Sequence, residues 1–170
     1  MDRQNELRLP AETSWLNDPK VARVCKVIEA GGYDIFFVGG CVRNAVLDEV
    51  ASDIDMSTNA RPETVMKLAK DAGLKAIPTG IDHGTVTVVS SGTPYEITTF
   101  RRDVETDGRR AVVAFSDDII DDARRRDFTM NALYARPDGS IVDPLGGIQD
   151  VLDRRVGFIE DADQRIREDY

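Results

Sequence analysis

The chain has 170 residues, of which 41% are hydrophobic and 31% are charged, a composition that suits one globular domain with at most the beginning of a second. Its net charge of −9 argues against a general nucleic-acid-binding surface, which needs an excess of Lys and Arg. The N-terminus lacks a hydrophobic signal region and no apolar run reaches membrane-spanning length, so we expect neither secretion nor membrane insertion. Two cysteines outside any zinc-binding pattern indicate a reduced, cytoplasmic protein.

Hydrophobic periodicity alternates between helical and extended segments along the chain, which predicts an α/β domain. The patterns indicate helices over 15–30, 40–47, 61–72 and 148–152, and strands over 33–38, 53–58, 75–78, 85–89 and 95–101. The last two strands are separated by a turn-forming stretch that is typical of a hairpin. Residues 103–113 are polar and contain a glycine, so we expect a connecting loop there.

A glycine pair and an aspartate pair follow the predicted strand 33–38. Gly39 and Gly40 lie where a helix begins, and glycines there let backbone N–H groups approach an anion beside the positive end of the helix dipole. Asp53 and Asp55 are two residues apart in a strand, so their carboxylates share one face. Alone, the glycines are typical of a tight turn and the aspartates of a solvated strand end. Together, at this spacing, they indicate a phosphate cradle beside a magnesium site.

The second half of the chain carries further candidates. Glu96 lies in a predicted strand, where it is either a third metal-binding carboxylate or an exposed glutamate of an edge strand. If 124–134 is helical, Arg124, Asp127 and Asn131 form one stripe at i, i+3 and i+7. Such a stripe offers a guanidinium for phosphate, with a carboxylate and an amide for ribose hydroxyls. The alternative is a solvated helix face with an Asp to Arg ion pair.

Four stretches resemble the motifs of one family, the class II tRNA nucleotidyltransferases (CCA-adding enzymes) and bacterial poly(A) polymerases. The family's motifs are similar, in order, to Gly39-Gly40-Cys41-Val42-Arg43 with Asp53-Ile54-Asp55, to Glu96-Ile97-Thr98-Thr99-Phe100-Arg101, to Arg125-Arg126-Asp127-Phe128-Thr129-Met130-Asn131-Ala132, and to Asp143-Pro144-Leu145-Gly146-Gly147 up to Asp150. The resemblance runs from about residue 21 to residue 170.

The resemblance implies a polymerase-β-like nucleotidyltransferase head, in which a mixed sheet of about five strands is flanked by helices. It implies template-independent transfer of nucleotides from CTP and ATP to the 3′ end of tRNA, for CCA addition or repair, with two Mg²⁺ ions. The positions that match the catalytic and metal-binding residues are Asp53, Asp55 and Glu96. Those that match nucleotide-binding residues are Gly39, Gly40, Arg43, Arg124, Arg125, Arg126, Asp127, Asn131, Glu168 and Asp169.

The family also implies a domain organisation. We expect residues 1–32 to be an N-terminal helical segment of the head, 33–159 the nucleotidyltransferase head, and 160–170 the start of a truncated helical neck. No capping signal follows Tyr170, so we expect a fragment of a longer polypeptide. Its remaining domains would carry most of the basic tRNA-binding surface.

Departures from the family's pattern leave part of the function open. Asn44 stands where the family usually has aspartate, so the contact made by that carboxylate in the family is left open here. The base-reading motif that begins at Glu168 ends before its arginine, so the sequence does not decide between adding C, A or both. A basic Gly-Arg-Arg-Phe-like stretch of the poly(A) polymerases is absent near residues 78–84, which favours tRNA as the primer. The alternatives are a poly(A) polymerase, a sibling that adds only C or only A, and a non-catalytic nucleotide-binding regulatory module.

Overall fold

The computed structural model describes residues 7–50, 53–106, 110–154, 156–157 and 159, with the backbone alone for 105–106 and 110–113. The helices are α1 (Pro19–Ala30), α2 (Gly40–Val46), α3 (Pro62–Asp71), α4 (Ile119–Arg124) and α5 (Ile148–Leu152). The strands are β1 (Ile35–Val38), β2 (Asp55–Thr58), β3 (Lys75–Gly80), β4 (Thr85–Ser90), β5 (Thr93–Thr99), β6 (Arg101–Thr106), β7 (Arg110–Phe115), β8 (Tyr134–Ala135) and β9 (Ile141–Val142). Across these ranges, no helix has both the length and the apolarity that crossing a bilayer requires.

Seven of the strands form one mixed sheet in the order β3-β4-β5-β2-β1-β8-β9. Its pairs are antiparallel, except that β2 and β5 run parallel. The five longer strands give the expected mixed sheet, and the two-residue strands β8 and β9 extend it at one edge. Strands β6 and β7 form a separate antiparallel hairpin.

The two faces of the sheet bury different side chains because residues alternate along each strand. One face packs Phe37, Met56 and Ile97 against the apolar sides of α1 and α3. The other face carries a smaller cluster in which Phe36, Val38 and Tyr134 pack with Phe100 and with Ala123 of α4. Asp55 pairs directly with Val38, so its side chain lies on this second face.

The first helix begins later than the sequence predicts. Asp18 has an extended backbone and its side chain accepts a 2.9 Å hydrogen bond from the backbone N–H of Lys20. Pro19, at the first helical position, has no N–H to donate. The chain before this cap forms a separate short 3-10 helix, Ser14–Asn17, so the continuous helix predicted over 15–30 is wrong in its first turn.

Two predictions for the second half are also wrong. Residues 103–113 lie largely in the β6–β7 hairpin rather than in a loop; their sequence places the turn-forming pair Asp107-Gly108 between two extended runs. Residues 124–134 are not one helix. α4 ends at Arg124, a 3-10 helix covers Thr129–Asn131, and β8 begins at Tyr134. The extended backbone of Phe128, with φ −120° and ψ 145°, separates these elements.

The core beneath the aspartate pair supports a first prediction. Met56 is 1% exposed and packs in the cluster under α1 and α3. Met56→Ala should lower the free energy of unfolding, measured by urea denaturation, by about 2–5 kcal/mol because it leaves a cavity. Met56→Leu keeps the volume and should cost less than about 1.5 kcal/mol. Equal losses in the two variants would contradict this packing.

Candidate active site

Three carboxylates meet at one end of the sheet. The parallel register of β2 and β5 pairs Asp55 with Glu96, and Asp53 precedes Asp55 by two residues. All three line a cleft of about 510 Å³ whose other walls include Thr87 and Tyr95. Because β5 lies between β4 and β2, the alternative of Glu96 as a glutamate of an edge strand is wrong.

Burial and neighbouring negative charges disfavour the ionised form of Asp55 in this cluster. Partial burial, followed by the charges of Glu96 and Asp53, raises the pKa of Asp55 above its usual range, while the charge of Arg126 opposes this rise. A cation placed among the three groups would relieve the repulsion. Hard carboxylate oxygens are ligands that suit Mg²⁺, so the donor set fits this ion.

The carboxylates do not enclose an ion by themselves. In the part of the chain that the structure describes, no group of three or more His, Cys, Asp or Glu side chains is arranged to hold a metal. Mg²⁺ commonly binds through one or two carboxylates and completes its shell with water and substrate phosphates. An ion held by this donor set would therefore keep coordination positions for oxygens from outside the protein.

The glycine turn lies next to Asp55. Gly39 follows Val38, the register partner of Asp55, and has φ +81° and ψ −135°, a conformation that side chains other than glycine rarely adopt. Its N–H donates to the carbonyl of Leu133 at 3.2 Å. α2 begins at Gly40, so the N–H groups of its first turn, which have no acceptor within the helix, start beside the carboxylate cleft.

Side-chain hydrogen bonds join the first motif to the second. Arg43 donates from Nη1 to Oδ1 of Asn131 at 3.1 Å, and Asn131 donates from Nδ2 to Oδ1 of Asp127 at 3.3 Å. The Nε of Arg43 donates to Oδ1 of Asn44 at 3.1 Å. Asn44 also donates to the carbonyl of Val50 at 3.0 Å, a bond that an ionised aspartate at this position does not make.

Hydrogen bonds made by the third motif hold the second motif in place. The Asp143 carboxylate accepts hydrogen bonds from the N–H groups of Gly147 and Ile148, at 2.7 and 2.9 Å, where α5 begins. A Cβ on Gly147 would lie 2.5 Å from the carbonyl oxygen of Thr129, so only glycine permits this approach. Thr129 in turn donates to Asp150 at 2.7 Å. These contacts hold the 3-10 helix that carries Asn131.

A buried aspartate that the sequence reasoning did not select fixes one arginine. Asp122 is 1% exposed, and its Oδ2 accepts from the hydroxyl of Tyr134 at 2.7 Å and from Nη2 of Arg126 at 3.1 Å. Burial acts against the charge of Arg126, but Tyr134 and Asp122 outweigh it, so the pKa of Arg126 is raised. The sequence feature that could have indicated this ion pair is the i, i+4 spacing of Asp122 and Arg126.

The predicted nucleotide-binding residues therefore fall into separate groups. Asp127 and Asn131 lie beside Arg43, and Arg126 lies near enough to Asp55 to influence its pKa. The stripe predicted to include Arg124 is wrong, because Arg124 ends α4 while the other members follow it. Glu168 and Asp169 lie outside the described residues.

The chain is similar to known proteins along most of its length. A family described as the poly(A) polymerase head domain matches residues 35–157. The CCA-adding enzyme of Bacillus cytotoxicus is 40% identical over 152 residues, which are 88% of this chain and 37% of the relative. The CCA-adding enzyme of Oceanobacillus iheyensis is 42% identical over 152 residues, with the same two shares.

Solved structures of related enzymes are also similar to this chain. A CCA-adding enzyme of Bacillus stearothermophilus in complex with CTP has a TM-score of 0.78 and 37% identity, over 89% of this chain and 36% of that one. A tRNA nucleotidyltransferase complexed with a primer tRNA and an incoming ATP analog has a TM-score of 0.62 and 25% identity, over 81% of this chain and 39% of that one. The chain spans little more than a third of the curated relatives it matches.

The partial burial of Asp55 and the neighbouring charges of Glu96 and Asp53 predict a stability effect. Because the pKa of Asp55 is raised, its charged form is disfavoured in the fold. Asp55→Asn should therefore raise the midpoint of thermal unfolding when no divalent metal is present. The control is Asp138→Asn, which should lower the midpoint, since hydrogen bonds from Ser140 lower the pKa of Asp138. A fall in both variants would show that the charged form of Asp55 is not disfavoured in the fold.

Proposed function

Because the chain belongs to the poly(A) polymerase head-domain family, we propose that it is the catalytic head of an enzyme that transfers nucleotides from CTP and ATP to the 3′ end of tRNA, for CCA addition or repair. The curated relatives that support this activity are CCA-adding enzymes. The remainder of such a protein would hold the tRNA, which fits the acidic balance of this chain.

The observation that carries the proposal is the position of the carboxylates beside the glycine turn. Asp55 is paired with Glu96 on one side and with Val38, the residue before Gly39, on the other. A triphosphate whose oxygens contact the turn therefore reaches the metal-binding face of the cleft. Asp53, Asp55 and Glu96 would hold Mg²⁺ there.

In the proposed reaction, the RNA 3′-hydroxyl loses its proton to solvent and its oxygen bonds to the α-phosphorus, while the bond from that phosphorus to the pyrophosphate oxygen breaks. Bound magnesium ions would favour ionisation of the hydroxyl and stabilise charge on the departing pyrophosphate. No covalent intermediate on a side chain is required. The backbone at Gly39 and Gly40 and the guanidinium of Arg43 would cradle the triphosphate, with added positive charge from Arg126.

Ribose recognition is assigned to the second motif. Asp127 and Asn131 present a carboxylate and an amide whose hydrogen bonds can select the 2′-hydroxyl of a ribonucleotide. Arg43 already orients Asn131 through the 3.1 Å bond. Glu168 and Asp169 would face the base.

We place the protein in the cytoplasm, which suits two buried, free cysteines.

The assignment of the aspartate pair predicts a loss of transfer without unfolding. In the full-length protein with tRNA and Mg²⁺, Asp53→Ala or Asp55→Ala should lower nucleotide incorporation about a thousand-fold or more, because the metal ligands are lost. Calorimetric titration with CTP and ATP should show binding that needs Mg²⁺ and disappears in the double variant. Asp48→Asn is the control, since Asp48 has φ 55°, which Asn tolerates.

The outcomes of this experiment separate the alternatives. Near-normal turnover in either alanine variant would refute the catalytic assignment. CTP binding that does not need Mg²⁺, without transfer, would favour the non-catalytic module. Growth of a long A tail on an unrelated RNA primer would favour a poly(A) polymerase, and incorporation from one nucleotide alone would identify a C-only or A-only enzyme.

The proposed ribose contact predicts a change in sugar selectivity. Asn131→Ala should lower kcat/KM for CTP about ten-fold, the size expected for losing a hydrogen bond that leaves its partner unpaired. Transfer from 2′-deoxy-CTP should fall less, because the variant removes a contact that this analogue does not make. An equal fall for both nucleotides would assign Asn131 to positioning Arg43 alone.

A further inference from the structure

Three arginines from two parts of the chain converge beside Asp122. Arg101 begins β6, and Arg125 and Arg126 follow α4. Both oxygens of Asp122 are already used: Oδ1 accepts from the backbone N–H of Arg101 at 3.1 Å, and Oδ2 accepts from Arg126 and Tyr134. The carboxylate therefore fixes the backbone of Arg101 and the guanidinium of Arg126, but makes no such bond to the guanidinium of Arg101.

The other two guanidinium groups retain unused donors. The Nε atoms of Arg101 and Arg125 are buried and have no hydrogen-bond partner among the residues the structure describes. Arg125 Nε lies 3.4 Å from Oδ1 of Asp103, in an ion pair without hydrogen-bond geometry. Buried donors in proteins are nearly always paired. These two Nε atoms are enclosed, whereas Arg101 and Arg125 are only partly buried as residues, so a ligand with acceptor oxygens would pair with their Nη donors.

The charges around Arg101 favour an anionic ligand. Its guanidinium lies beside those of Arg125 and Arg126 and the carboxylates of Asp122 and Asp103, and Asp122 already accepts hydrogen bonds from the backbone of Arg101, from Arg126 and from Tyr134. Burial, and next the charge of Arg125, lower the pKa of Arg101 below its usual range. An anion would relieve this repulsion.

We propose that Arg101 and Arg125 form a phosphate-binding subsite, held in place through Asp122 and next to Arg126. The planar guanidinium fork matches two phosphate oxygens. Arg125 and Arg126 are already among the predicted nucleotide-binding residues, whereas Arg101, the last residue of the stretch that begins at Glu96, receives a role only here. The inference rests on the proposed nucleotidyl transfer, whose substrates carry phosphate both in the triphosphate and in the RNA backbone.

A structural role for Arg101 is the competing explanation. In that case its guanidinium serves only to join β6 to the segment after α4, and its loss would affect stability but not ligand affinity. Arg102 provides a matched control because it is the same residue type, one position along the same strand, exposed, and directed to the opposite side. Arg101→Lys keeps the positive charge but removes the planar guanidinium group and its paired donors.

The experiment compares Arg101→Gln with Arg102→Gln in the full protein. Affinity is measured by calorimetry for CTP with Mg²⁺, and separately for a tRNA that lacks its 3′-terminal nucleotides, while thermal unfolding monitors the fold. Arg101→Gln should weaken one of the two ligands about ten-fold, the loss expected for a charge-assisted hydrogen bond, and Arg102→Gln should not. Arg101→Lys should restore part of the affinity.

Each outcome decides the proposal. A loss confined to CTP assigns the subsite to the triphosphate, and a loss confined to tRNA assigns it to the RNA backbone. Unchanged affinity for both ligands, or equal losses in the two glutamine variants, overturns it. If Arg101→Gln does not fold, Arg125→Gln is compared with Arg102→Gln on the same criteria. Wild-type protein that binds CTP but transfers no nucleotide refutes the proposed function and leaves the affinity comparison valid.

Discussion

The parallel pairing of β2 with β5 is the constraint on which the rest of the structure depends. The other strand pairs described in the sheet are antiparallel, and this pair requires a crossover through α3, β3 and β4 between its two strands. Its register sets Asp55 beside Glu96. A slip of one residue would move Glu96 to the buried face and Ile97 into the cleft, so the apolar core under α1 and α3 fixes the position of the carboxylates.

The cost of gathering three carboxylates is offset by cations held nearby. Arg126 is the arginine that opposes the rise in the pKa of Asp55. Its guanidinium is fixed by the buried Asp122 and by Tyr134, and also lies 5.6 Å above the ring of Tyr134. Tyr134 in turn pairs with Val38, the neighbour of Asp55 in the adjacent strand. The same row of the sheet therefore carries both the negative cluster and the support for its counter-charge.

The sequence predicted the family and the fold class, and both are confirmed. Strands with strong apolar alternation and the Ser91-Gly92 hairpin, which takes positive φ at both residues, were predictable because their signals are local. The predictions were wrong where tertiary contacts determine the local secondary structure. Residues 124–134 have helical composition, but Leu133 and Tyr134 are drawn into the sheet and core. The sequence did not indicate a buried role for Asp122, because an aspartate in an acidic run is ordinarily solvated. Its burial depends on tertiary contacts.

The candidate site depends more on side chains than on the start of a helix. α2 has only seven residues, so its dipole adds little beyond its first turn. In the proposed reaction, the triphosphate would therefore be held mainly by Arg43 and Arg126, which different elements position: Arg43 through Asn44 and Asn131, and Arg126 through Asp122 and Tyr134. α5 positions the second motif without reaching the cleft itself, because Asp143 caps its start and Asp150 accepts from Thr129. In the proposed reaction, the third motif would therefore act on the ribose only through the placement of Asn131.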